Sequence, residues 1–453
     1  MNAARRVCIV GAGLAGTYLA IALARSGWQV DLCERRSRAE LEGGDRAHAR
    51  SIALALSHRG LHALNRLGLE APAVRIARRM LGREIHLESG DTVFSAYDPS
   101  GRGRILAVSR AELYALLLEA GAREPGVEIR FGRTLSEWRE DDGGVRPLFE
   151  GGGPAERFDA LIGADGADSR TRAGLQRAAG ARFERADFGC VYKELGLRSR
   201  GEPYGGHALH IWARGSLMLI GLPSAQAGCL DGTLFLPQDA AAAWFAEPDA
   251  LQRRFGACFP DVELDAEQAA ALVRRTCGRI YSIEGGPWHA GNVVVIGDAA
   301  HAMTPFLGQG MNCALEDCEL LLGCIEAGGG IASAFAAFYR QRRADARAIG
   351  RLSVMNCEEM MLHTRTPAYL ARKRLEAWLA TRFPDDFVPY YSAITFDRVP
   401  YARVLRLKQL QGELLERLQG AGLVGDESDL PARSRAQAEL VRYRSEAALL
   451  LDC

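Results

Sequence analysis

The stretch from Asn292 to Asp317, NVVVIGDAAHAMTPFLGQGMNCALED, limits what this chain can fold into more than any other. It begins as a short β-branched run, Val293 to Ile296, that reads as a buried strand, and it breaks at Gly297 and Asp298 where a strand would end. An acidic side chain at the carboxyl end of a parallel strand accepts hydrogen bonds from sugar or ribityl hydroxyls, and that edge is where open α/β sheets place ligands. Pro305, Gly308 and Gly310 then lead through Met311 into a helical-looking segment, Asn312 to Leu322, so backbone N–H groups can approach an electron-rich ring closely. An ordinary turn between strand and helix needs one glycine. The pattern therefore predicts a cofactor site.

The opening of the chain supplies a second part of such a site. Arg5 to Val10 reads as a strand, GAGLAG follows with Gly11, Gly13 and Gly16, an apolar helix runs from Thr17 to Arg25, and a second strand, Gln29 to Cys33, ends at Glu34. These are the parts of a dinucleotide-binding βαβ unit: a tight turn, a close approach to pyrophosphate, close helix packing, and a carboxylate for a ribose hydroxyl. Glu34 favours a free ribose 2′-hydroxyl, hence FAD or NAD over NADP. Arg35 and Arg36 read as solvated. A third segment, DALIGADGADSRTR from Asp159 to Arg172, repeats the strand-then-Gly/Asp design at Gly163 and Asp165.

Between these segments the residues leave alternatives open. Arg50 to Arg59 fits a strand or a helix. In GREIHLES, Arg83 shares strand parity with Ile85 and Leu87, so its guanidinium is expected on the apolar face. An unpaired desolvated charge is costly, so Arg83 needs either a structural salt bridge or a ligand. Tyr97 reads equally as a core tyrosine. Ser109 and Glu112 form a capping box that opens a helix from Arg110 to Ala120, and a cation at that position opposes the helix dipole unless an anion is near or Arg110 is simply exposed. A strand at Val127 to Phe131 and a glycine-rich hairpin region at Glu140 to Glu156 follow. From Asp187 to Pro237 strands succeed one another without helices, which predicts an antiparallel sheet. Helical segments come at Ala240 to Phe255 and Ala266 to Arg275, and the chain returns to the cofactor unit near Trp288. Beyond Ser333 a long helix carries Phe335, Phe338, Ile349 and Leu352 on one stripe, with Asn356 on the same inward face as a core amide or a ligand contact. Phe387 to Tyr401 is aromatic and turn-rich, and the tail beyond Gly420 reads as a polar loop and one amphipathic helix.

Composition narrows the function classes. Fifty-six basic residues against fifty-six acidic ones leave no overall field for nucleic acid or an acidic membrane. Eleven cysteines without C-x-x-C spacing support neither a disulfide framework nor a metal site. The N-terminus runs into a strand with no apolar leader, and no run is long enough to span a bilayer, so a cytoplasmic protein without a membrane anchor is expected.

GAGLAG with Glu34, GADGADSRTR and GDAAHAMTPFLGQGMN, in this order, resemble the single-component FAD-dependent aromatic hydroxylases, the class A flavoprotein monooxygenases. Within them RSIALALSHRG at 50 to 60, GREIH at 82 to 86, YKEL at 192 to 195, LHIWARG at 209 to 215, NCEEM at 356 to 360 and ITFDRVPY at 394 to 401 are most similar to the kynurenine 3-hydroxylating subfamily. The resemblance implies an α/β fold: a Rossmann-like FAD-binding domain of glutathione-reductase type (1–75, 99–180 and 281–355) interleaved with an antiparallel-sheet substrate domain (76–98 and 181–280), then a C-terminal helical region (356–453).

It also implies a site. Arg83 and Tyr97 would hold an amino-acid carboxylate, with Asn356 and Tyr401 completing that end. Glu34, Arg110 and Asp298 would hold the adenosine ribose, pyrophosphate and ribityl parts of FAD, and the backbone from Pro305 to Met311 would face the isoalloxazine. FAD stays bound while NADPH, or NADH, visits as reductant; the partners are O2 and an aromatic amino acid, and the protein is expected as a monomer or homodimer. The implied reaction is hydroxylation of L-kynurenine at ring position 3, with a substituted kynurenine or another ortho-amino aromatic acid, or a non-catalytic flavoprotein, as alternatives. No side chain is implied as nucleophile or base, and His301 reads as structural. Two positions depart from the family: Ala53 stands where Asn is usual, which touches a polar contact near the flavin, and Leu217 where Phe is expected, which would widen the aromatic pocket.

Overall fold

The computed structural model describes residues 5–42, 53–98, 103, 105–141, 143–152, 155–360, 366–423 and 430–451. Arg50, Ser51 and Ile52 of the ambiguous segment, three positions of the 140–156 region and the loop beyond 423 lie outside them. The chain forms two compact units, each assembled from separate stretches: Met1–Ala77, Val108–Phe188 and Ile280–Gly350 in the first, and Arg78–Ala107, Gly189–Arg279 and Arg351–Cys453 in the second.

The first unit is built on a sheet with the strand order His289–Ala290, Val293–Val295, Ala160–Gly163, Arg6–Val10, Gln29–Cys33, Val127–Arg130. All neighbours run parallel except the first pair. Parallel strands buried on both faces need continuous apolar runs, and Val7, Cys8, Ile9, Leu161, Ile162, Val293, Val294 and Val295 are all closed to solvent. Because the strands are parallel, the turns at Gly11, Glu34, Asp165 and Asp298 all leave the same edge. The order reverses on either side of Arg6–Val10, and such a switch point opens a crevice at that edge.

The helix after the first strand, Leu14–Arg25, starts earlier than its apolar pattern indicates, because the glycine turn itself winds into it. The ambiguous segment resolves into strand Ala53–Leu56 and helix His58–Arg66. Helix Arg110–Ala122 is capped by Ser109, whose hydroxyl accepts from Glu112 N. The glycine-rich region is a hairpin of Leu135–Asp141 with Gly144–Phe149.

In the second unit the sheet runs Val262–Glu263, the Cys190 to Ser199 part of strand Arg182–Ser199, Cys229–Pro237, Leu217–Pro223, Ala208–Arg214, Gly82–His86, Thr92–Ala96. Its pairings are antiparallel except that Gly82–His86 lies parallel to Ala208–Arg214. One face buries Leu197, Trp212, Leu219, Leu230 and Leu234 under Leu251 and Phe255 of helix Pro248–Cys258 and Leu272 of helix Ala266–Arg274. The segment expected as one helix over Ala240 to Phe255 is two, Ala241–Trp244 and Pro248–Cys258, because Pro248 fits only the first turn of a helix.

Helix Ile331–Glu358 buries Phe335, Phe338, Ile349 and Leu352 as its stripe requires. Helices Pro367–Arg382, Tyr390–Thr395, Tyr401–Gly420 and Leu430–Leu451 complete the second unit. The Gln411 amide, 1% exposed, holds the aromatic turn in place: it accepts from Tyr390 N at 2.9 Å and donates to Val388 O at 2.6 Å. Among the described residues no helix is long and apolar enough to cross a membrane.

Candidate cofactor and substrate sites

In the first unit the glycine turn is forced by space. Gly11 has φ +101°, and a Cβ there would lie 2.4 Å from Ala164 O at the end of the neighbouring strand. At Gly16 a Cβ would meet Gly11 O at 2.0 Å, which is what lets the helix pack onto the turn. Gly13 is different: a Cβ there meets nothing within 4 Å. The chain thus keeps an open approach to the backbone at the helix start, where N–H groups favour a phosphate.

Glu34 is 4% exposed, and its carboxylate accepts from Ala12 N at 3.1 Å and from Arg36 N and Nε at 3.1 and 2.8 Å. A carboxylate has about four lone-pair positions, so one remains for a hydroxyl. Arg36 pairs with Glu34 and is not simply solvated. Arg110, the first residue of its helix, is exposed, and no described residue forms an ion pair with it.

The two Gly/Asp strand ends have diverged. Asp165 accepts from Ser169 Oγ at 2.5 Å and from Thr171 N and Oγ1 at 3.0 and 3.2 Å, so it closes its own loop. Asp298 is exposed at the start of helix Asp298–His301, and none of its hydrogen-bonding capacity is taken up by described residues. Beyond it Pro305 is exposed on a short 3-10 turn, Gly308 adopts φ +66°, and helix Gly310–Glu326 begins with no side-chain cap from Gln309. The first-turn N–H groups of Gly310 and Met311 thus receive no side-chain cap from Gln309. Asn312 has another task. It is wholly buried, its Oδ1 accepts from Ser57 N at 3.0 Å, and its Nδ2 donates to Ala55 O and Gly308 O at 2.8 and 3.0 Å. It fixes the shape of the turn with its side chain and leaves the outward face to backbone.

Under this turn lies a buried charge network that sequence reading missed. Asp317 accepts from Gly297 N at 2.9 Å, His301 Nε2 at 2.6 Å and Arg342 Nε at 2.7 Å, and Glu316 pairs with Arg59 at 2.7 Å and Arg342 at 3.1 Å. Burial works against both carboxylates, but His301 and Arg342 around Asp317, and Arg342 and Arg59 around Glu316, hold each pKa below its ordinary value. His301 is a structural partner of Asp317. The only trace of this network in the sequence is acidic residues on a helix that must be buried.

In the second unit Arg83 lies on the apolar face with Ile85, as strand parity requires. Its guanidinium carbon is 4.7 Å from the Tyr391 ring and 5.6 Å from the Tyr97 ring, and those rings stack 5.5 Å apart at 19°. Nε of Arg83 is sealed from solvent without a hydrogen-bond partner. Burial disfavours the charge, and the phenols of Tyr391, Tyr97 and Tyr369 outweigh it, so the pKa stands above the usual arginine value. Burial also pushes the Tyr97 phenol well up, which keeps it a neutral donor.

No described residue forms an ion pair with Arg83. The nearby charges are already matched: Lys408 bonds Glu359, and Lys373 bonds Glu376 at 2.6 Å. Burial would raise the Glu359 pKa, but Lys408 and Lys373, with a smaller contribution from Arg83, hold it down. Among these described groups both lysines have a carboxylate partner and Arg83 has none. Asn356 is 2% exposed with Nδ2 3.1 Å from Met360 Sδ, and Tyr401 is fully buried at the first turn of its helix. No hydrogen bond joins either to Arg83. Tyr391 and Tyr369 are the residues sequence reading missed, although Tyr391 stands in the segment marked as aromatic. Leu217 packs against the leucine core of the sheet, and Ala53 is buried at the start of its strand.

A parallel sheet with an open glycine turn, a buried carboxylate at the end of its second strand and a helix start without a side-chain cap fits a flavin-binding α/β protein, and the chain belongs to the FAD-binding domain family, whose profile matches residues 4–349. Within that class it is a member of the kynurenine 3-monooxygenase family. It is 37% identical to the kynurenine 3-monooxygenase of Myxococcus xanthus (strain DK1622), over 98% of this chain and 97% of that one. The kynurenine 3-monooxygenase of Stenotrophomonas maltophilia (strain K279a) is 38% identical over 91% of this chain and 92% of its own. Solved structures share the fold. The tetrameric form of 2-methyl-3-hydroxypyridine-5-carboxylic acid oxygenase aligns with TM-score 0.65 at 22% identity, over 83% of this chain and 98% of that one. An HpxO variant of Klebsiella pneumoniae, crystallised with FAD, aligns with TM-score 0.64 at 24% identity, over 80% and 91% of the two chains.

Proposed function

We propose that this protein hydroxylates L-kynurenine at ring position 3, consuming NADPH, a proton and O2 and releasing 3-hydroxykynurenine, NADP+ and water. The observation that carries the substrate assignment is Arg83, a cation walled by Tyr97 and Tyr391 with its Nε unbonded and no ion pair from a described residue. A buried guanidinium of this kind is stabilised by a carboxylate that accepts two parallel hydrogen bonds. Full-length relatives named for kynurenine supply an amino acid that brings one.

The first unit fits FAD. Gly13 leaves room for the pyrophosphate, with Gly11 and Gly16 shaping the turn. Glu34 would take the adenosine ribose, Arg110 the pyrophosphate and Asp298 the ribityl chain. The backbone from Pro305 through Gly308 and Gly310 to Met311 would face the isoalloxazine. FAD held by these residues would supply the redox chemistry: acceptance of hydride from NADPH and activation of O2 for transfer of one oxygen atom to an aromatic ring.

The chain's own contribution is placement. Arg83 and Tyr97, completed by Asn356 and Tyr401, fix the amino-acid end of the substrate and so determine which ring carbon is presented. The aniline nitrogen of kynurenine already enriches its ortho carbon, so no side chain acts as nucleophile or general base. Tyr391 and Tyr369 keep water away from the Arg83 charge, which strengthens its hold on a carboxylate.

The test is a product assay on the yellow holoenzyme. With L-kynurenine and NADPH, mass spectrometry should find 3-hydroxykynurenine in amounts matching the NADPH oxidised. Product only from a ring-methylated kynurenine, or NADPH oxidation yielding only hydrogen peroxide, would overturn the assignment.

A further inference from the structure

Strand Gly82–His86 turns Arg83 and Ile85 to one face and Glu84 and His86 to the other. On that second face the parallel neighbour sets His210 directly beside Glu84, and Trp212 stacks on His86 with ring centroids 4.0 Å apart. One ligating atom from each of Glu84, His86 and His210 lies within 4.8 Å of the others. Neither histidine contributes to the proposed reaction.

The two rings pose a problem in counting protons. His86 Nε2 and His210 Nδ1 face each other at 2.9 Å. Each outer nitrogen faces an acceptor: His210 Nε2 is 3.3 Å from Gly205 O, and His86 Nδ1 is 3.3 Å from the Asp261 carboxylate, which Trp212 Nε1 also bonds at 2.8 Å. Two neutral imidazoles carry two N–H bonds between them. With both hydrogens outward, two bare lone pairs point at each other; with one inward, a lone pair faces an acceptor. The arrangement is completed by a positive species between the inner nitrogens. A shared proton with Asp261 as counter-ion would do this, and so would a metal cation; Glu84, a half-exposed carboxylate within 4.8 Å of a ring nitrogen of each histidine, supplies the third donor that a metal uses and a proton does not.

We infer that Glu84, His86 and His210 form a binding site for a divalent transition-metal cation, with zinc as the reference ion. Two imidazoles and one carboxylate are a common zinc donor set. The surroundings match what metal-bound histidines require, since each has its other N–H directed at a carboxylate or a backbone carbonyl. Tetrahedral zinc with bonds of ~2.05 Å needs donor atoms about 3.3 Å apart, so on loading the rings part slightly and turn their inner lone pairs toward the Glu84 carboxylate, which lies within 4.8 Å. Half-exposed Glu84 gives the cation a route in from solvent. The cation pins strand Gly82–His86 to Ala208–Arg214 from the face opposite Arg83, so the role is structural and does not depend on the substrate assignment.

The experiment uses untagged holoenzyme stripped with a chelator, dialysed against zinc chloride, freed of loose metal and analysed by plasma mass spectrometry. Wild type should retain about one zinc per chain, with a raised Tm. Glu84→Gln should bind zinc at least tenfold more weakly while keeping its full flavin content, which certifies folding. X-ray absorption of the loaded wild type should show two imidazoles and oxygen. Failure to retain zinc, equal retention by Glu84→Gln, or sulfur ligands from the cysteines would each overturn the site.

Discussion

The guanidinium carbon of Arg83 lies 4.7 Å from the ring centroid of Tyr391, a residue 308 positions further along the chain. A ring face attracts a cation without taking up its in-plane donors, and Nε of Arg83 has no hydrogen-bond partner. On the proposed function the pair is half of a binding site: the aromatic side is built in, and the substrate would bring the anion.

Arg83→Ala should therefore raise the KM for kynurenine while FAD stays bound. Removing one partner of a buried, hydrogen-bonded charge pair costs about 2–5 kcal/mol, roughly thirty- to several-thousand-fold in kcat/KM. Arg83→Lys should recover only part of this, because a point charge does not reproduce the planar fork. Steady-state kinetics with flavin absorbance checks both, and unchanged kinetics in the alanine variant would remove the carboxylate role.

Tyr391→Leu should raise KM by less, about 5- to 30-fold, the equivalent of a desolvated cation–π contact of roughly 1–2 kcal/mol. Tyr391→Phe keeps the ring face and should stay close to wild type. If the two variants behave alike, the ring face is not what holds Arg83.

Gly11→Ala and Gly13→Ala should part company. At Gly11 a Cβ would stand 2.4 Å from Ala164 O on a backbone with φ +101°, so alanine should disrupt folding of the unit. At Gly13 a Cβ meets nothing within 4 Å of this chain, so the apoprotein should fold normally and lose only affinity for FAD. Thermal melts of apoprotein alongside FAD titrations separate the two effects. A Gly13→Ala variant with undiminished FAD affinity would show that the cofactor does not lie there.

Stability should fall on acidification. Glu316, Asp317 and Glu359 all have folded pKa values below their ordinary ones, since their cationic partners outweigh burial. Groups depressed in this way contribute stability that is complete above the unfolded carboxylate range, about pH 4–4.5, and is lost as pH drops through the folded values. Urea midpoints between pH 7 and pH 3 should decline. Glu359→Gln, which leaves Lys408 unmatched, should start lower at pH 7 and decline less. Parallel curves for the two proteins would contradict the Glu359 contribution.

The βαβ unit, the capped helix at Arg110, the antiparallel run after residue 187 and the inward stripe of Ile331–Glu358 were legible because each is encoded within a few residues. Glycine placement constrains φ locally, apolar periodicity marks the buried face, and Ser109 can cap only the helix that follows it. The same local logic put Arg83 on the apolar face of its strand. It erred on boundaries such as Ala240 to Phe255, where Pro248 divides the segment into two helices.

Sequence order by itself thus determined the kinds of element, their succession, and the strand ends from which ligand-binding groups emerge. Only tertiary structure decided which of those groups remain available. Asp165 and Asp298 end similar motifs, yet the first is taken up by Ser169 and Thr171 while the second is open. Asn312 reaches Ser57 and Ala55 across 255 and 257 positions, and Arg83 meets Tyr391 across 308. Hydrogen bonds and charge pairs depend on distance through space, which the spacing of residues along the chain does not encode.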